Sequence, residues 1–265
     1  MHIFCTDDTL PAADVKFVDA DRCIRYAGVT IRGVKVAESP QWLKDALTTI
    51  GQRPINNVVD VTNYVLHAFG HPLHAFDLAK LSGDSIEVQT VAPGTEFVTL
   101  DGVTRKLDGA DLMICSGGVP RCIAGVFGGL DSGVTETTTD LFLESACFNA
   151  TSVRKTARRH GLNTDASFRY ERGVDPNGCI YAMKFAALLI QHIAGGICAG
   201  PVVDIYPRVA EPFKVELSHR GITELLGQEI PADTVRSILA SLEIEIASED
   251  SDGRMDLRVP TYRVD

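Results

Sequence analysis

Three histidines follow one another at helical spacing, at His67, His71 and His74. On one continuous helix, spacings of four and three residues would align their rings, an arrangement that can hold a transition metal. Gly70 and Pro72 interrupt that helix, because proline supplies no N–H donor and disfavours helical geometry in the preceding residue. We therefore expect a helix end with exposed His67 and His71 rather than a metal site. The apolar neighbours of His74 in "PLHAFD" predict a half-buried ring that needs a partner.

A second candidate is Glu144, a carboxylate inside the apolar run "LFLESACF". A charged group at such a position is costly unless it is paired or hydrogen-bonded. Because the side chains of a strand alternate between two faces, the residue could instead point to solvent. In a strand of unknown context the solvent-facing position is the commoner one, so a functional role for Glu144 needs independent support.

A third candidate is the run "CIAGVFGGLDSG", which places Gly125, Gly128 and Gly129 close together after an apolar strand. It is neither the GxGxxG of a dinucleotide-binding turn nor a phosphate-binding loop with Gly-Lys-Ser/Thr. Two interpretations remain: backbone amides that line a ligand pocket, or a tight turn in a sheet. The sequence has no GxSxG elbow and no HExxH pair, so neither serine chemistry nor zinc hydrolysis is supported.

The stretch "RHGLNTDASFRYERGVDPN" belongs to the most basic part of the chain, which has six Lys/Arg residues between Arg154 and Arg172. Four of these residues spread over one broad face of a predicted helix that ends at Gly161. A solvated helix end followed by a loop is the common explanation for such a run. The alternative is a local patch for nucleic-acid phosphates, which require positive potential.

The composition limits the class of protein. The 265 residues, 45% of them apolar, suffice for one large domain or for one domain plus a small one. A net charge of −10 argues against nucleic-acid binding over the whole surface, so any RNA contact must be local. Seven cysteines without a CxxC pair indicate buried, reduced thiols in a cytosolic protein. Neither the first residues nor the apolar stretch 182–203 predicts secretion or a membrane span.

Residues 1–21 show no strong periodicity, and we expect them to be a tail or linker. Helix signals begin after this segment. The stretch "SPQWLKDALTTIG" predicts a helix with Ser39 as its N-cap. A second helix, "DVTNYVLHAFG", should stop at Gly70. The second helix contains His67 and ends just before His71.

The middle of the chain is rich in strands. Short β-branched or aromatic runs lie between residues 85 and 148, and Asp101-Gly102 marks a hairpin turn. Helix returns in "NATSVRKTARRHG", capped by Asn149, and in "YAMKFAALLIQHIAGG". Two prolines mark a linker at 206–213, and a small module of strands and helices follows. The predicted fold class is therefore α+β, with a strand-rich centre flanked by helices and then a small α+β module.

Taken together, these residues resemble the β subunit of bacterial phenylalanyl-tRNA synthetases. The matching stretches are "NNVVDVTNYVLHAFGHPLHAFD", "AGVFGGLDSGV", "LESACF" and "ARRHGLNTDASFRYERGVDP", in the family's order and at nearly its spacing. Residues 22–207 resemble the third and fourth modules, which form the family's mixed α/β editing domain. Residues 211–265 resemble the fifth module, truncated at its end and similar to nucleic-acid-binding domains. Because the family's β chain is far longer, the resemblance implies a fragment.

The resemblance also implies a pocket that hydrolyses tyrosine wrongly attached to the tRNA for phenylalanine. Its catalytic positions fall on His74, Glu144 and Thr164. Glu144 and His74 would face the tyrosine phenol, and Thr164 with Ala166 would shape the rim. The positions that would bind the substrate are Arg53, Thr62, Asn63, Pro72, Gly125, Gly128 and Ala166.

In this implied role Glu144 faces the pocket rather than solvent. Such a position would explain how the pocket distinguishes tyrosine from phenylalanine. A buried acceptor built for a hydroxyl rejects phenylalanine, because phenylalanine would leave it unpaired. We expect the ester to be attacked by a water held by polar groups of the pocket and by the terminal ribose hydroxyl, with His74 as a secondary candidate base. His67 and His71 depart from the family pattern and are expected to be dispensable.

The implied partners are the synthetase α subunit, in a heterotetramer of two α and two β chains, tRNA(Phe) and misacylated tyrosine. A cytoplasmic location without a membrane is expected. The fragment should need no cofactor, whereas the whole enzyme uses ATP and Mg²⁺, with phenylalanine activated on the α subunit. Asp265 matches the first of a magnesium-ligating carboxylate cluster whose other members lie beyond this chain. The alternative function is a non-catalytic scaffold for subunit assembly and tRNA binding.

Overall fold

The computed structural model describes residues 4–264. Asp265, the predicted metal ligand, lies outside the described residues. The chain divides into two compact units, Met1–Arg208 and Val209–Asp265. Both units combine helices with sheets, so the predicted α+β class is confirmed.

The first unit contains eleven strands and five α-helices within the described residues. The strands are β1 (Asp14–Val18), β2 (Cys23–Arg32), β3 (Leu73–Asp77), β4 (Ser85–Thr90), β5 (Glu96–Val98), β6 (Thr104–Lys106), β7 (Leu112–Ser116), β8 (Val119–Ile123), β9 (Phe127–Gly128), β10 (Asp140–Phe148) and β11 (Ile197–Ile205). The helices are α1 (Gln41–Thr49), α2 (Asn57–Phe69), α3 (Ala150–His160), α4 (Asp165–Tyr170) and α5 (Cys179–Ala194).

A four-stranded antiparallel sheet in the order β11-β2-β10-β3 forms the centre of this unit. Helix α5 packs against β2 and β10, and α2 packs against α5 and β3. Every residue of β10 from Leu141 to Phe148 is buried, although the strand alternates between two faces. Both faces of β10 are therefore covered, which is why its sequence is apolar almost without interruption.

A second sheet has the order β1-β4-β7-β8-β9, and β5 pairs with β6 as a separate hairpin. Its turn contains Asp101 and Gly102, as the sequence predicts. Gly102 adopts a φ of +74°, and the Asp101 carboxylate binds the guanidinium of Arg105 at 2.9 Å. The hairpin places Leu100 next to β9, where the Leu100 amide donates to the Gly128 carbonyl.

The helix ends follow the sequence signals with one exception. The Asn149 side chain accepts the Ser152 amide at the start of α3, and Gly70 ends α2 at a φ of +67°. The N-cap of α1 was predicted one residue too early, because Pro40 occupies it. The Ser39 hydroxyl instead donates to the buried carboxylate of Asp60 at 2.5 Å.

Three elements of the first unit differ from the sequence prediction. The predicted tail or linker includes strand β1, which pairs in parallel with β4, and the Ala13 amide donates to Thr30. The central strand β2 has no strong periodic signal, since both its faces are buried over much of its length. The predicted loop after Gly161 contains α4. The partners of β1 and β2 lie far along the chain, whereas α4 begins with a local capping box between Thr164 and Ser167.

The second unit is a small α+β module. Its elements are β12 (Phe213–Ser218), α6 (His219–Leu226), α7 (Ala232–Ser241), β13 (Glu245–Glu249) and β14 (Arg254–Val259). The sheet order is β12-β14-β13, and the core consists of Val235, Leu239, Met255 and Leu257. Residues 206–212 before it have no helix or strand, as their prolines predict.

Candidate functional site

The first unit contains a cavity of about 250 Å³ beside β3 and β10. Eight of the ten residues that the sequence predicts for a pocket line it, namely Asn63, Pro72, His74, Gly125, Gly128, Glu144, Thr164 and Ala166. The other lining residues are Leu66, Leu73, Leu100, Cys122, Val126, Phe127, Asp165 and Tyr170. A mostly apolar cavity with a few polar groups is the usual form of a small-molecule site.

Glu144 and His74 lie side by side on the floor of this cavity. They are direct partners in the antiparallel pairing of β10 with β3, so their side chains share one face of the sheet. Glu144 is only 4% exposed, and its carboxylate oxygen Oε2 accepts a hydrogen bond from the Tyr26 hydroxyl at 2.7 Å. The solvent-facing alternative for Glu144 is therefore wrong, because β10 has no solvent-facing side.

Burial sets the charge of both groups. Desolvation raises the pKa of Glu144 to about 7, against the opposing effect of the Tyr26 hydrogen bond. Desolvation lowers the pKa of His74 to about 4. At neutral pH the imidazole is therefore uncharged, while the carboxyl group exchanges between its neutral and charged forms.

The His74 ring is held by packing rather than by hydrogen bonds. It lies edge-on to the ring of Phe76, with 4.4 Å between ring centres. Its Nε2 atom is buried and has no hydrogen-bond partner within residues 4–264. A buried polar atom without a hydrogen-bond partner carries an energetic cost.

The glycine-rich segment serves both of the purposes that its sequence left open. Gly125 has a φ of +68°, and a Cβ atom there would lie 2.9 Å from the rings of Phe148 and Tyr170, so this position is a tight turn. Gly128 does not have a positive φ, so its backbone conformation does not require glycine. A Cβ atom at Gly128 would lie 3.3 Å from Cε1 of His74, inside the cavity wall. The absent side chain of Gly128 is therefore part of the space available to a ligand.

Thr164 and Ala166 bring the start of α4 to the cavity. The Thr164 hydroxyl caps this helix by accepting the Ser167 amide at 3.1 Å, and it donates to the Val126 carbonyl at 2.8 Å. Both hydrogen-bonding functions of the hydroxyl are thus occupied. These contacts favour a positioning role for Thr164, which ties α4 to the glycine-rich segment, over the catalytic role implied by the resemblance.

Two predicted pocket residues, Arg53 and Thr62, do not line the cavity. Thr62 is buried in α2, where its hydroxyl donates to the Val59 carbonyl at 2.7 Å. Arg53 is exposed. Its neighbour Gln52 donates to the carboxylate of Asp165 at 2.9 Å, and Asp165 belongs to the cavity lining. Arg53 therefore lies in a segment attached to the rim rather than in the wall.

The sequence reasoning missed three contributors to the site. Tyr26 supplies the partner of Glu144, Leu100 closes the cavity beside Gly128, and the Tyr170 hydroxyl donates to the carbonyls of Pro72 and Ala146. Leu100 directly precedes the recognisable Asp101-Gly102 turn, which is a signal that could have found it. No sequence signal marks Tyr26, because it meets Glu144 only through strand pairing.

The expectation that His71 is exposed is wrong. His71 is 3% exposed, and its Nε2 lies 3.0 Å from the hydroxyl of Ser145. Desolvation lowers its pKa to about 4. His67 is half-buried. Among residues 4–264, no group of three side chains is arranged to hold a metal ion, so the aligned histidines form no metal centre.

The basic segment is divided between structural and exposed side chains. Arg159 and His160 bind the fully buried carboxylate of Asp111, with 2.7 Å between His160 Nε2 and Asp111 Oδ2. Arg154 and Arg158 are exposed, and neither forms an ion pair in the part of the chain that the structure describes. Arg159 and His160 therefore attach the end of α3 to the β-rich region, while Arg154 and Arg158 form a local positive surface.

No helix within the described residues is both long enough and apolar enough to cross a membrane. All seven cysteines are unpaired thiols, and six of them are buried. Burial raises the pKa of Cys122, the one that lines the cavity, well above its usual range. That thiol stays neutral and is not an activated nucleophile.

Two protein-family models match the chain. The model of the B3/4 domain matches residues 22–195, and the model of the tRNA synthetase B5 domain matches residues 215–265. The first match includes the whole cavity. The second begins within β12 and continues through the small second unit.

Curated relatives are phenylalanine–tRNA ligase beta subunits. The protein of Bacteroides thetaiotaomicron is 56% identical over 252 residues, which cover 95% of this chain and 31% of that protein. The protein of Porphyromonas gingivalis is 59% identical over 253 residues, with the same coverage of both chains. The protein of Moorella thermoacetica is 42% identical over 253 residues, covering 96% of this chain and 31% of that one. This chain thus spans less than a third of each relative.

Among solved structures, a crystal structure of an N-terminal fragment of the phenylalanyl-tRNA synthetase beta subunit from Pyrococcus horikoshii covers 99% of this chain and 73% of its own chain. The TM-score is 0.46 and the identity is 13%. The two family models in succession and the high identity to bacterial relatives agree on one assignment. The chain belongs to the phenylalanine–tRNA ligase beta-subunit family, with a B3/4 domain followed by a B5 domain.

Proposed function

We propose that the B3/4 domain of this chain hydrolyses tyrosine that is wrongly esterified to tRNA(Phe). The observation that carries the proposal is the buried Glu144 carboxylate on the floor of a small apolar cavity. Sites for drug-sized ligands occupy about 300–1,000 Å³, so this smaller cavity suits a single amino acid. The B3/4 assignment and the beta-subunit relatives support the same substrate class.

Selectivity for tyrosine follows from the cost of an unpaired acceptor. A tyrosine phenol donates a hydrogen bond to Glu144, whereas phenylalanine leaves the oxygen Oε1 of that carboxylate without a partner. His74 lies beside Glu144 on the same face of the sheet, so its ring forms part of the wall that the phenol would meet. A synthetic site that prefers phenylalanine and a hydrolytic site that prefers tyrosine together form a double sieve.

The chemistry we propose is attack by water on the ester carbonyl. The Cys122 thiol is neutral and the Thr164 hydroxyl is already hydrogen-bonded twice, so neither is an activated nucleophile. His74, with its pKa lowered to about 4, is uncharged at neutral pH and is a weak base. Positioning of the water by polar groups of the pocket and by the terminal ribose hydroxyl therefore carries most of the catalysis.

Helix α4, three of whose residues line the cavity, also offers exposed contacts for the RNA part of the substrate. Phe168 on α4 is 43% exposed, and the Arg172 guanidinium lies 3.5 Å from its ring centre. Exposed aromatic rings beside arginines are the usual platform for single-stranded nucleic acid. Arg154 and Arg158 add positive charge on the neighbouring helix α3. These groups suit the acceptor end of a tRNA better than a free amino acid.

Binding of tRNA(Phe) to this chain should be weak and strongly dependent on salt. With few phosphate contacts, the affinity should fall steeply between roughly 50 and 200 mM salt. Replacing both Arg154 and Arg158 by glutamine should flatten the slope of log K against log salt by about 1–2. Fluorescence anisotropy with labelled tRNA measures this slope. The control is Arg208→Gln, an exposed arginine paired with Asp21, and a tight complex indifferent to salt would refute the prediction.

In the whole ligase, the proposed partners are the α subunit, in an assembly of two α and two β chains, and tRNA(Phe). ATP and Mg²⁺ would serve amino-acid activation there, in the cytoplasm. Among the described residues, no group of three or more His, Cys, Asp and Glu side chains is placed to hold a metal ion. The competing function is a scaffold that holds subunits and tRNA with an inactive pocket.

Measuring hydrolysis of aminoacyl-tRNA distinguishes the proposed enzyme from the competing scaffold function. This chain and the full heterotetramer should both release tyrosine from Tyr-tRNA(Phe) and leave Phe-tRNA(Phe) largely intact, with the heterotetramer faster because it holds the tRNA. The measurement is release of radiolabelled amino acid under single-turnover conditions. A heterotetramer that cleaves neither ester, or both equally, would reject the proposal in favour of the scaffold.

A further inference from the structure

Tyr26 is placed to act on Glu144 from the neighbouring strand. Gly28 of β2 is the direct partner of Glu144 across the sheet, and Tyr26 is the partner of Ala146. Residues two apart on a strand share a face, so Tyr26 stands diagonally opposite Glu144 on the same side. Its hydroxyl donates to Oε2 of Glu144 at 2.7 Å. The contact therefore follows from strand register.

The Tyr26 side chain is rigid and lies outside the cavity. It is completely buried, and its ring lies nearly parallel to the ring of Phe142, at an angle of 10° and a centre-to-centre distance of 6.5 Å. No cavity-lining atom belongs to Tyr26. A ligand in the cavity thus meets Glu144 directly and Tyr26 only through it.

The two oxygens of the Glu144 carboxylate have different surroundings. Oε2 binds Tyr26, which is its one hydrogen-bond donor among residues 4–264. Oε1 has no hydrogen bond within the described residues, and Glu144 lines the cavity. Oε1 is therefore the carboxylate oxygen left to accept the phenol of a substrate.

We propose that Tyr26 is the positioning residue for tyrosine selectivity, holding one carboxylate oxygen of Glu144 so that the other faces the cavity as the hydroxyl acceptor. This inference rests on the proposed function of the pocket. It adds a residue that contributes to specificity without touching the substrate. The same hydrogen bond opposes the effect of burial on the carboxyl group and so keeps part of it charged at neutral pH.

The test is Tyr26→Phe in the full chain, a change that removes one oxygen atom and keeps the ring packing. Loss of a hydrogen bond to a charged acceptor should raise the pKa of Glu144 by about one to two. Carboxyl ¹³C NMR on glutamate-labelled protein measures this pKa, with Glu144→Gln used to assign the signal. The preference for free tyrosine over phenylalanine should fall about fivefold or more at pH 7 and recover partly near pH 9.

The matched control is Tyr170→Phe. Tyr170 is also buried beside the cavity, but its hydroxyl donates to the backbone carbonyls of Pro72 and Ala146. This variant should leave the pKa of Glu144 within a few tenths of the wild-type value. An unchanged or lower pKa of Glu144 in Tyr26→Phe would overturn the inference. If the wild-type pocket shows no preference for tyrosine, the proposed function fails, while the NMR titration still decides whether Tyr26 controls Glu144.

Discussion

Replacement of Glu144 by alanine should remove the preference of the pocket for tyrosine over phenylalanine. The substitution deletes the hydroxyl acceptor and no large apolar volume. A hydrogen bond to a charged group contributes about 1.5–3 kcal/mol, so discrimination should fall roughly ten- to a hundred-fold. Phenylalanine should bind no more weakly than before, because the carboxylate oxygen Oε1 that it leaves unpaired is gone. Calorimetric titration with the two free amino acids measures both effects.

Ala166→Trp provides the contrasting variant. Ala166 lines the cavity at the start of α4. An indole ring there should obstruct entry for both amino acids, so affinity should be lost without a change in preference. Circular dichroism should confirm a native fold for both variants. If Glu144→Ala still prefers tyrosine by the wild-type margin, Glu144 does not recognise the hydroxyl and the assignment of the pocket fails.

Asp111→Ala should destabilise the first unit by about 3–5 kcal/mol, because removing one partner of a buried ionic network leaves the other groups uncompensated. The Asp111 carboxylate is 0% exposed and accepts hydrogen bonds from Thr156, Arg159 and His160 of α3, as well as from the Asp108 amide. The network anchors α3 to the turn that precedes β7. The loss should appear as a lower denaturation midpoint in urea, followed through the fluorescence of the sole tryptophan, Trp42.

The same chain offers a matched control three residues earlier. Asp108 also lies near Arg159, at 3.6 Å, but its side chain is 48% exposed. Asp108→Ala should cost less than about 1 kcal/mol, as is usual for exposed ion pairs. Equal losses for the two variants would show that the Asp111 network contributes nothing beyond surface electrostatics.

The pH dependence of this stabilisation follows from the direction in which the pKa of Asp111 is shifted. Burial acts to raise the pKa of Asp111, but the Asp108 amide and the side chains of His160 and Thr156 together lower it below the usual value. Since the folded state holds this carboxyl deprotonated, its stabilising contribution is present above the ordinary aspartate pKa of about 3.9. It is lost as the pH falls through the folded-state pKa. The difference between wild type and Asp111→Ala should therefore shrink below about pH 4.

The sequence by itself determined the elements whose signals are local. Gly70 and Gly161 end their helices because glycine adopts the left-handed conformation without steric cost, and Asn149 caps α3 with its own side chain. The Asp101-Gly102 hairpin and the irregular segment before β12 are local in the same sense. The long motifs around His74, Glu144 and Thr164 also sufficed to indicate the family and half of the residues that line the cavity.

The tertiary structure decided every property that depends on a distant partner. Alternation along β10 left Glu144 free to face solvent, and only coverage of both faces of the strand made it a buried acceptor. His71 looked exposed because its partner Ser145 lies far along the chain. Tyr26 carries no motif at all, since its position beside Glu144 depends on the register between β2 and β10. Local backbone preferences are encoded by adjacent residues, whereas burial, charge state and hydrogen-bond partners arise only when strands separated in sequence pair.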